Sequence, residues 1–213
     1  MERRFITTEI EPVELVTRED GGLTATGYAA VFYRQGNKGT QFDLWSGSVE
    51  RIMPTAFDRA VAEGDDVRAL FNHDPNQLLG RSPDTLRLSV DKRGLKYEID
   101  LPDTSTGRDV GVSLARGDLS GSSFAFQVEE ETWRQEKKDL EVREVKSVRL
   151  FDVGPVTFPA YKATTSGVRG EELSEVRARR DTWHEAQKAS RVVASDEDLK
   201  RFEKGYQAGG LVK

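Results

Sequence analysis

Alternating apolar residues through the first two-thirds of the chain predict a mainly β fold, with several helices set between the strands (α+β). A turn of the form Asp91-Lys92-Arg93-Gly94 joins two such alternating runs, and two short helical patterns each end at a glycine. Together they predict an antiparallel β-barrel or strongly curved sheet.

The elements follow in chain order. Leu23 to Tyr33 is rich in β-branched and aromatic residues after the turn Asp20-Gly21-Gly22, and reads as a strand. Pro54 to Glu63 reads as a helix, with proline in its first turn, Phe57, Ala60 and Val61 on one face, and Gly64 as the stop. Val67 to Phe71 is a short strand running toward His73. Thr85 to Val90 and Leu95 to Leu101 form a hairpin, with Leu86, Leu88 and Val90 sharing a face with Leu95, Tyr97, Ile99 and Leu101. Thr106 to Arg116 spaces Val110 and Leu114 one helical turn apart and ends at Gly117. Phe124, Phe126 and Val128 alternate as a strand, and so do Val142, Val145 (after a one-residue slip), Val148 and Leu150.

Beyond Pro159-Ala160-Tyr161 the composition changes. From Gly170 to Lys204 the chain is dense in Glu, Arg, Lys and Asp, with a thin stripe of Leu173, Val176, Trp183, Val192, Val193, Leu199 and Phe202. The expected organisation is a core domain over 1–168 and a charged C-terminal tail, helical or partly disordered, over 169–213.

Composition excludes several functions. The 213 residues carry a net charge of −5, so there is no broad basic footprint and nucleic acid is not an expected partner. There is no cysteine, hence no disulfide frame, thiolate nucleophile or zinc–thiolate site, and neither metal nor cofactor is expected. The N-terminal stretch lacks the apolar core of a signal peptide and no apolar run reaches membrane-spanning length, so no membrane association is expected.

Histidine is the one side chain whose unperturbed pKa lets it take and return a proton near neutrality, and the chain has only two. His184 lies in the charged C-terminal stretch, which leaves His73 as the candidate base. A serine hydroxyl becomes a useful nucleophile when a base removes its proton and a third group orients that base. Ser122 and Ser123 are the candidate nucleophiles, and Asp152, alone in the apolar run Val148 to Phe158, is the candidate acid. Gly121-Ser122-Ser123-Phe124-Ala125 has the look of a nucleophile elbow, but a strand follows it rather than a helix, which argues against the hydrolase-elbow fold. Each residue also has a plainer reading. His73-Asp74-Pro75-Asn76 can be a surface turn, the glycine and serines a strand entry, and Asp152 a hydrogen-bonded carboxylate at a bulge beside Gly154-Pro155.

The combination resembles a family, the prohead maturation proteases of tailed bacteriophages, which are akin in structure to the herpesvirus assemblin proteases. The likeness spans Leu23 to Ala163. It rests on Gly27-Tyr28-Ala29-Ala30-Val31-Phe32, on Ile52-Met53-Pro54-Thr55-Ala56-Phe57, and on Phe71-Asn72-His73-Asp74 with Leu79-Gly80-Arg81. It continues through Asp91 to Leu95, Thr106-Gly107-Arg108-Asp109, Gly117 to Phe124, and Phe151-Asp152-Val153 with Val156 to Ala160. The resemblance implies a β-barrel of that type and a serine protease, with His73 as base, Ser123 as nucleophile and Asp152 where Glu is usual. It implies action inside the assembling procapsid in the host cytoplasm. The implied partners are the major capsid protein with its scaffolding segment, and the chain itself, through self-cleavage and a homo-oligomer. The rival reading is a non-catalytic internal scaffold of the same fold; a small serine esterase is a third.

Overall fold

In a computed structural model the described residues are 1–6, 12–157 and 173–188. The strands are β1 (Glu2–Ile6), β2 (Glu14–Thr17), β3 (Leu23–Val31), β4 (Phe42–Trp45), β5 (Ser48–Ile52), β6 (Arg68–Leu70), β7 (Leu78–Arg81), β8 (Leu86–Val90), β9 (Gly94–Asp100), β10 (Gly121–Lys137) and β11 (Leu140–Val156). Two helices, α1 (Asp58–Ala62) and α2 (Ser105–Ala115), lie between them.

The strands form two sheets rather than a closed barrel, so the mainly β, α+β character holds while no barrel closure is found among the described residues. The larger sheet runs β1-β10-β11-β5-β4, with β6 also on β11 and β7 on β6. The smaller runs β2-β3-β9-β8. The large sheet is mixed, because β5 and β6 both pair with β11 in parallel. The other pairings are antiparallel as expected, and the two parallel ones on β11 are the departure. Bulges in the β10–β11 ladder, one between Ala125 and Phe126 and others beyond Val128, divide the long β11 into two stretches. The stretch Glu141–Val145 takes β5, and Asp152 and Val153 take β6.

The β8–β9 hairpin has the expected register, Leu86 opposite Ile99, Leu88 opposite Tyr97 and Val90 opposite Leu95. Its apolar face joins β3 and the β10 side chains in one core. An aromatic chain runs through it: Phe32 stacks on Phe57, Phe57 meets Phe124 edge-on at 5.6 Å, and Phe124 stacks on Phe126 at 4.8 Å. Such rings each remove a large apolar area from water, the main favourable term in folding.

The first helix is shorter than the pattern suggests. Pro54 to Phe57 winds as turns closed by Met53 O to Ala56 N and Thr55 O to Asp58 N, and the helix proper begins at Asp58. The second starts where Thr104 caps it, its side chain accepting from Gly107 N at 3.2 Å, and it buries Val110 and Leu114.

By contacts the chain divides into two compact units, Met1–Glu172 and Leu173–Lys213. The boundary expected at residue 168 lies outside the described residues. In the second unit a helix covers 173–188, while Val192, Val193, Leu199 and Phe202 lie outside the described residues. No helix among the described residues is long and apolar enough to cross a membrane.

Candidate active site

The site is built on the β10–β11 ladder. In an antiparallel pair, opposite residues share a face and the face changes at every residue. Ser123 lies opposite Gly154, and Ala125 opposite Asp152. Ser123 and Asp152 are therefore diagonal neighbours on one face.

The imidazole comes from the turn after β6. His73 Nδ1 lies 2.5 Å from Asp152 Oδ1, and His73 Nε2 is hydrogen-bonded with Ser123 Oγ. Ser123 Oγ also lies 2.8 Å from the Arg4 carbonyl. Only 5% of the His73 side chain and 8% of the Asp152 side chain is exposed, and Ser123 is fully buried. A carboxylate can only accept, so Nδ1 carries the hydrogen given to Asp152. In the neutral ring that leaves the Nε2 lone pair facing the Ser123 hydroxyl.

The turn holding His73 has an uncommon backbone and is fastened to the end of β11. Asn72 and His73 both take left-handed conformations, φ 55° and 57°. Asparagine enters that region readily, whereas a bulkier side chain persists there only when its surroundings hold it. The fastening comes from Asn72. Its N–H donates to Pro155 O at 3.2 Å, its Nδ2 donates to Thr157 Oγ1 at 3.0 Å, and its Oδ1 accepts from Thr157 N at 2.9 Å. The turn is thus tied to the end of β11, the strand that carries Asp152. Asp74 does the plainer work foreseen for this stretch, its carboxylate accepting from Asn76 N at 2.8 Å.

Close approach explains Gly154. A Cβ there would stand 2.2 Å from Leu70 O, at the end of β6. Only glycine lets β6 run this near β11, and this nearness brings His73 over the ladder.

Ser122 points to the opposite face. It lies across from Pro155, and its hydroxyl is 2.8 Å from the Tyr97 hydroxyl. Both residues are fully buried. Burial raises the Tyr97 pKa, partly offset by the Ser122 hydrogen bond, so the phenol stays neutral. A Cβ on Gly27 would come within 2.7 Å of that phenol oxygen, so the glycine gives the hydroxyl its space. Of the two candidate serines, the geometry brings Ser123 and not Ser122 to His73.

Sequence reasoning did not foresee β1 beside the site, nor the parts played by Asn72 and Gly154. A glycine next to a proline inside an apolar run was the one local signal for the last. His184 lies on helix 173–188 with its ring edge-on to Trp183 at 5.1 Å. Among the described residues no group of three or more His, Cys, Asp or Glu could hold a metal ion.

A serine, a histidine and a carboxylate hydrogen-bonded in a row on a β ladder define a class of arrangement used for acyl transfer. The chain belongs to the caudovirus prohead serine proteases, whose family model matches residues 11–179, well over half its length. This is a bacteriophage family of capsid-maturation serine proteases, hydrolases of the peptide bond. No match was found among curated proteins or among solved structures.

Proposed function

We propose that this chain is the serine endopeptidase that matures phage procapsids, cutting the scaffolding segment of the major capsid protein and also itself. The observation that carries the reading is the single hydrogen-bonded row from Asp152 through His73 to Ser123. Ser123 Oγ attacks the scissile carbonyl while His73 Nε2 takes its proton. The tetrahedral intermediate collapses to an acyl-enzyme as His73 returns that proton to the leaving amine. Water then repeats the sequence, with His73 as base and Ser123 as leaving group. Asp152 holds the ring with Nε2 toward the serine. The proteolytic part is residues 1–168, and the charged segment 169–213 serves targeting or is lost by self-cleavage. The work is done inside the assembling procapsid in the host cytoplasm, with capsid protein and further copies of this chain as partners.

The rival, an internal scaffold without activity, has no need of a buried serine held on an imidazole. A serine-reactive phosphonate, with the adduct located by mass spectrometry, tests the two. The protease reading expects the adduct on Ser123, its loss in Ser123→Ala and His73→Ala, and parallel loss of capsid-precursor cleavage. Cleavage surviving in Ser123→Ala would sink it.

A further inference from the structure

Strand β10 has two edges. One is taken by β11, which carries Asp152, and the other by β1, with Arg4 opposite Phe124 and Phe5 opposite Ser123. Extended peptides are commonly bound by adding a strand to a sheet edge, main chain to main chain. A peptide pairing with the strand of Ser123 has one place to lie, and residues 2–6 occupy it.

Two further observations give this strand the character of a substrate. First, the Arg4 carbonyl is the acceptor 2.8 Å from Ser123 Oγ, so a peptide carbonyl already stands at the nucleophile. A hydroxyl has one hydrogen. While Ser123 donates it to Arg4 O, it does not donate it to His73 Nε2. Second, the Arg4 side chain fills a built pocket. It is 1% exposed and grips the fully buried Glu50 through Nε at 2.5 Å and Nη2 at 2.8 Å, with Glu2 at 2.7 Å and the Phe126 ring beneath. Arg143 completes the pocket from β11, its Nη1 2.6 Å from both Glu2 and Glu50. If β1 leaves, Glu50 loses a two-pronged guanidinium contact inside the protein. A buried carboxylate is costly to leave short of partners, and a planar fork is the group that matches it.

We infer that residues 2–6 are a substrate-like strand seated in the peptide-binding edge of β10, and that Glu50 is the specificity residue of that edge. The edge takes an extended segment whose arginine reaches Glu50 and whose arginine carbonyl meets Ser123. Until β1 peels away, the site is closed to any other peptide. The inference rests on Ser123 being the nucleophile.

The test uses the full chain and the same phosphonate. Labelling of wild-type Ser123 is expected to level off as reagent rises, at the opening rate of residues 2–6 read from their amide deuterium exchange under conditions where opening limits exchange. Arg4→Lys keeps the charge but gives up the fork, and is expected to label at least ~10-fold faster, about 1.4 kcal/mol of lost hold on β1. In Arg4→Lys a blocked Glu-Arg-Arg-Phe-Ile peptide should protect Ser123, and the same peptide with glutamate in the place of Arg4 should not. Glu50→Gln should erase that difference. Labelling of the wild type in proportion to reagent, faster than residues 2–6 open, overturns the inference and leaves the nucleophile standing. So does a cooperatively melting Arg4→Lys that labels no faster. Where Arg4→Lys does not fold, the wild-type rates decide alone. An absence of Ser123 labelling in both chains overturns the inference together with the proposed function.

Discussion

Ser122 and Ser123 are the same side chain one residue apart on one strand, both fully buried, yet they sit in different chemistry. The face of Ser122 holds Tyr97, Phe124 and Phe126, where a hydroxyl serves to satisfy another hydroxyl in a dry core. The face of Ser123 holds His73 and Asp152, where the hydroxyl meets a base that a carboxylate orients. The pleat alone separates them. On the proposed mechanism, reactivity is a property of the face and not of the residue, and each face can be broken separately.

The largest effect should come from the pair Ser123→Ala and Ser122→Ala. Groups acting as one catalytic unit lose most of their effect together, so Ser123→Ala, like His73→Ala, should cost up to ~10⁶ in kcat with little loss of stability. Ser122→Ala should do the reverse. It leaves the Tyr97 hydroxyl without its hydrogen-bond partner in the core, at a cost of about 1–3 kcal/mol in urea unfolding, with kcat nearly unchanged. An inactive Ser122→Ala beside an active Ser123→Ala would reverse the assignment of the faces.

Asp152→Asn is next. The amide can present either a donor or an acceptor to Nδ1, so the ring is no longer held with its Nε2 lone pair toward Ser123. A loss of ~10⁴ in kcat is expected, with an unchanged melting midpoint. A rate within a few-fold of wild type would remove Asp152 from the mechanism and leave a Ser123–His73 pair.

The third comparison uses one glycine on each side. Gly154→Ala puts a Cβ 2.2 Å from Leu70 O, which is backbone and cannot swing aside, so β6 must move and take His73 with it. Gly27→Ala meets the Tyr97 hydroxyl at 2.7 Å, on the core side. Each should cost roughly 1–3 kcal/mol in urea unfolding, as overpacking does. Only Gly154→Ala should also lower kcat measured under folding conditions. Equal losses of kcat in both would show that the faces are mechanically coupled.

How much of this could be read from the sequence depends on where each residue's partner lies. The β8–β9 hairpin was legible because its alternation and its turn sit within sixteen residues, and its register is dictated by which side chains must be dry. The three site residues were legible as types, His73 by its rarity and Asp152 by its apolar neighbours. Strands β1 and β5 were not foreseen, because Glu2, Arg4 and Glu50 look solvated in sequence. Each has a countercharge that arrives from 46 or more positions away, and no local pattern records that. The parallel pairing of β11 with β5 and β6 escaped because it joins strands far apart in the chain, and β7 because four residues, Leu78–Arg81, carry no alternation. The ends of α1 were misread for a local reason: proline and threonine at its start support turns as readily as helix.

The smallest expected effect lies away from both faces, at the far end of the β10–β11 hairpin. The Arg51 guanidinium, its Cζ 3.8 Å from the Tyr33 ring centroid, contacts Glu136 at 2.5 Å and 3.0 Å. That hydrogen bond, outweighing partial burial and aided by Arg134, holds the Glu136 carboxyl down to about 2 from the usual 4.5. A carboxyl lowered on folding adds stability above its unfolded value and loses it as pH falls from about 4.5 toward about 2. A quarter of the Glu136 side chain is exposed, so solvent screens the pair and its worth at neutral pH should be about 1 kcal/mol or less. Glu136→Gln should therefore lower stability slightly at pH 7, flatten the decline between pH 4.5 and 2, and converge with wild type at the acid end. Cleavage at pH 7 should not change, because the site is held by the Ser123–Asp152 end of the ladder. Urea unfolding across that pH range decides it: parallel curves for the two chains would show that the Arg51 pair contributes nothing to acid stability, and a fall in kcat would show that the far end of the hairpin reaches the site.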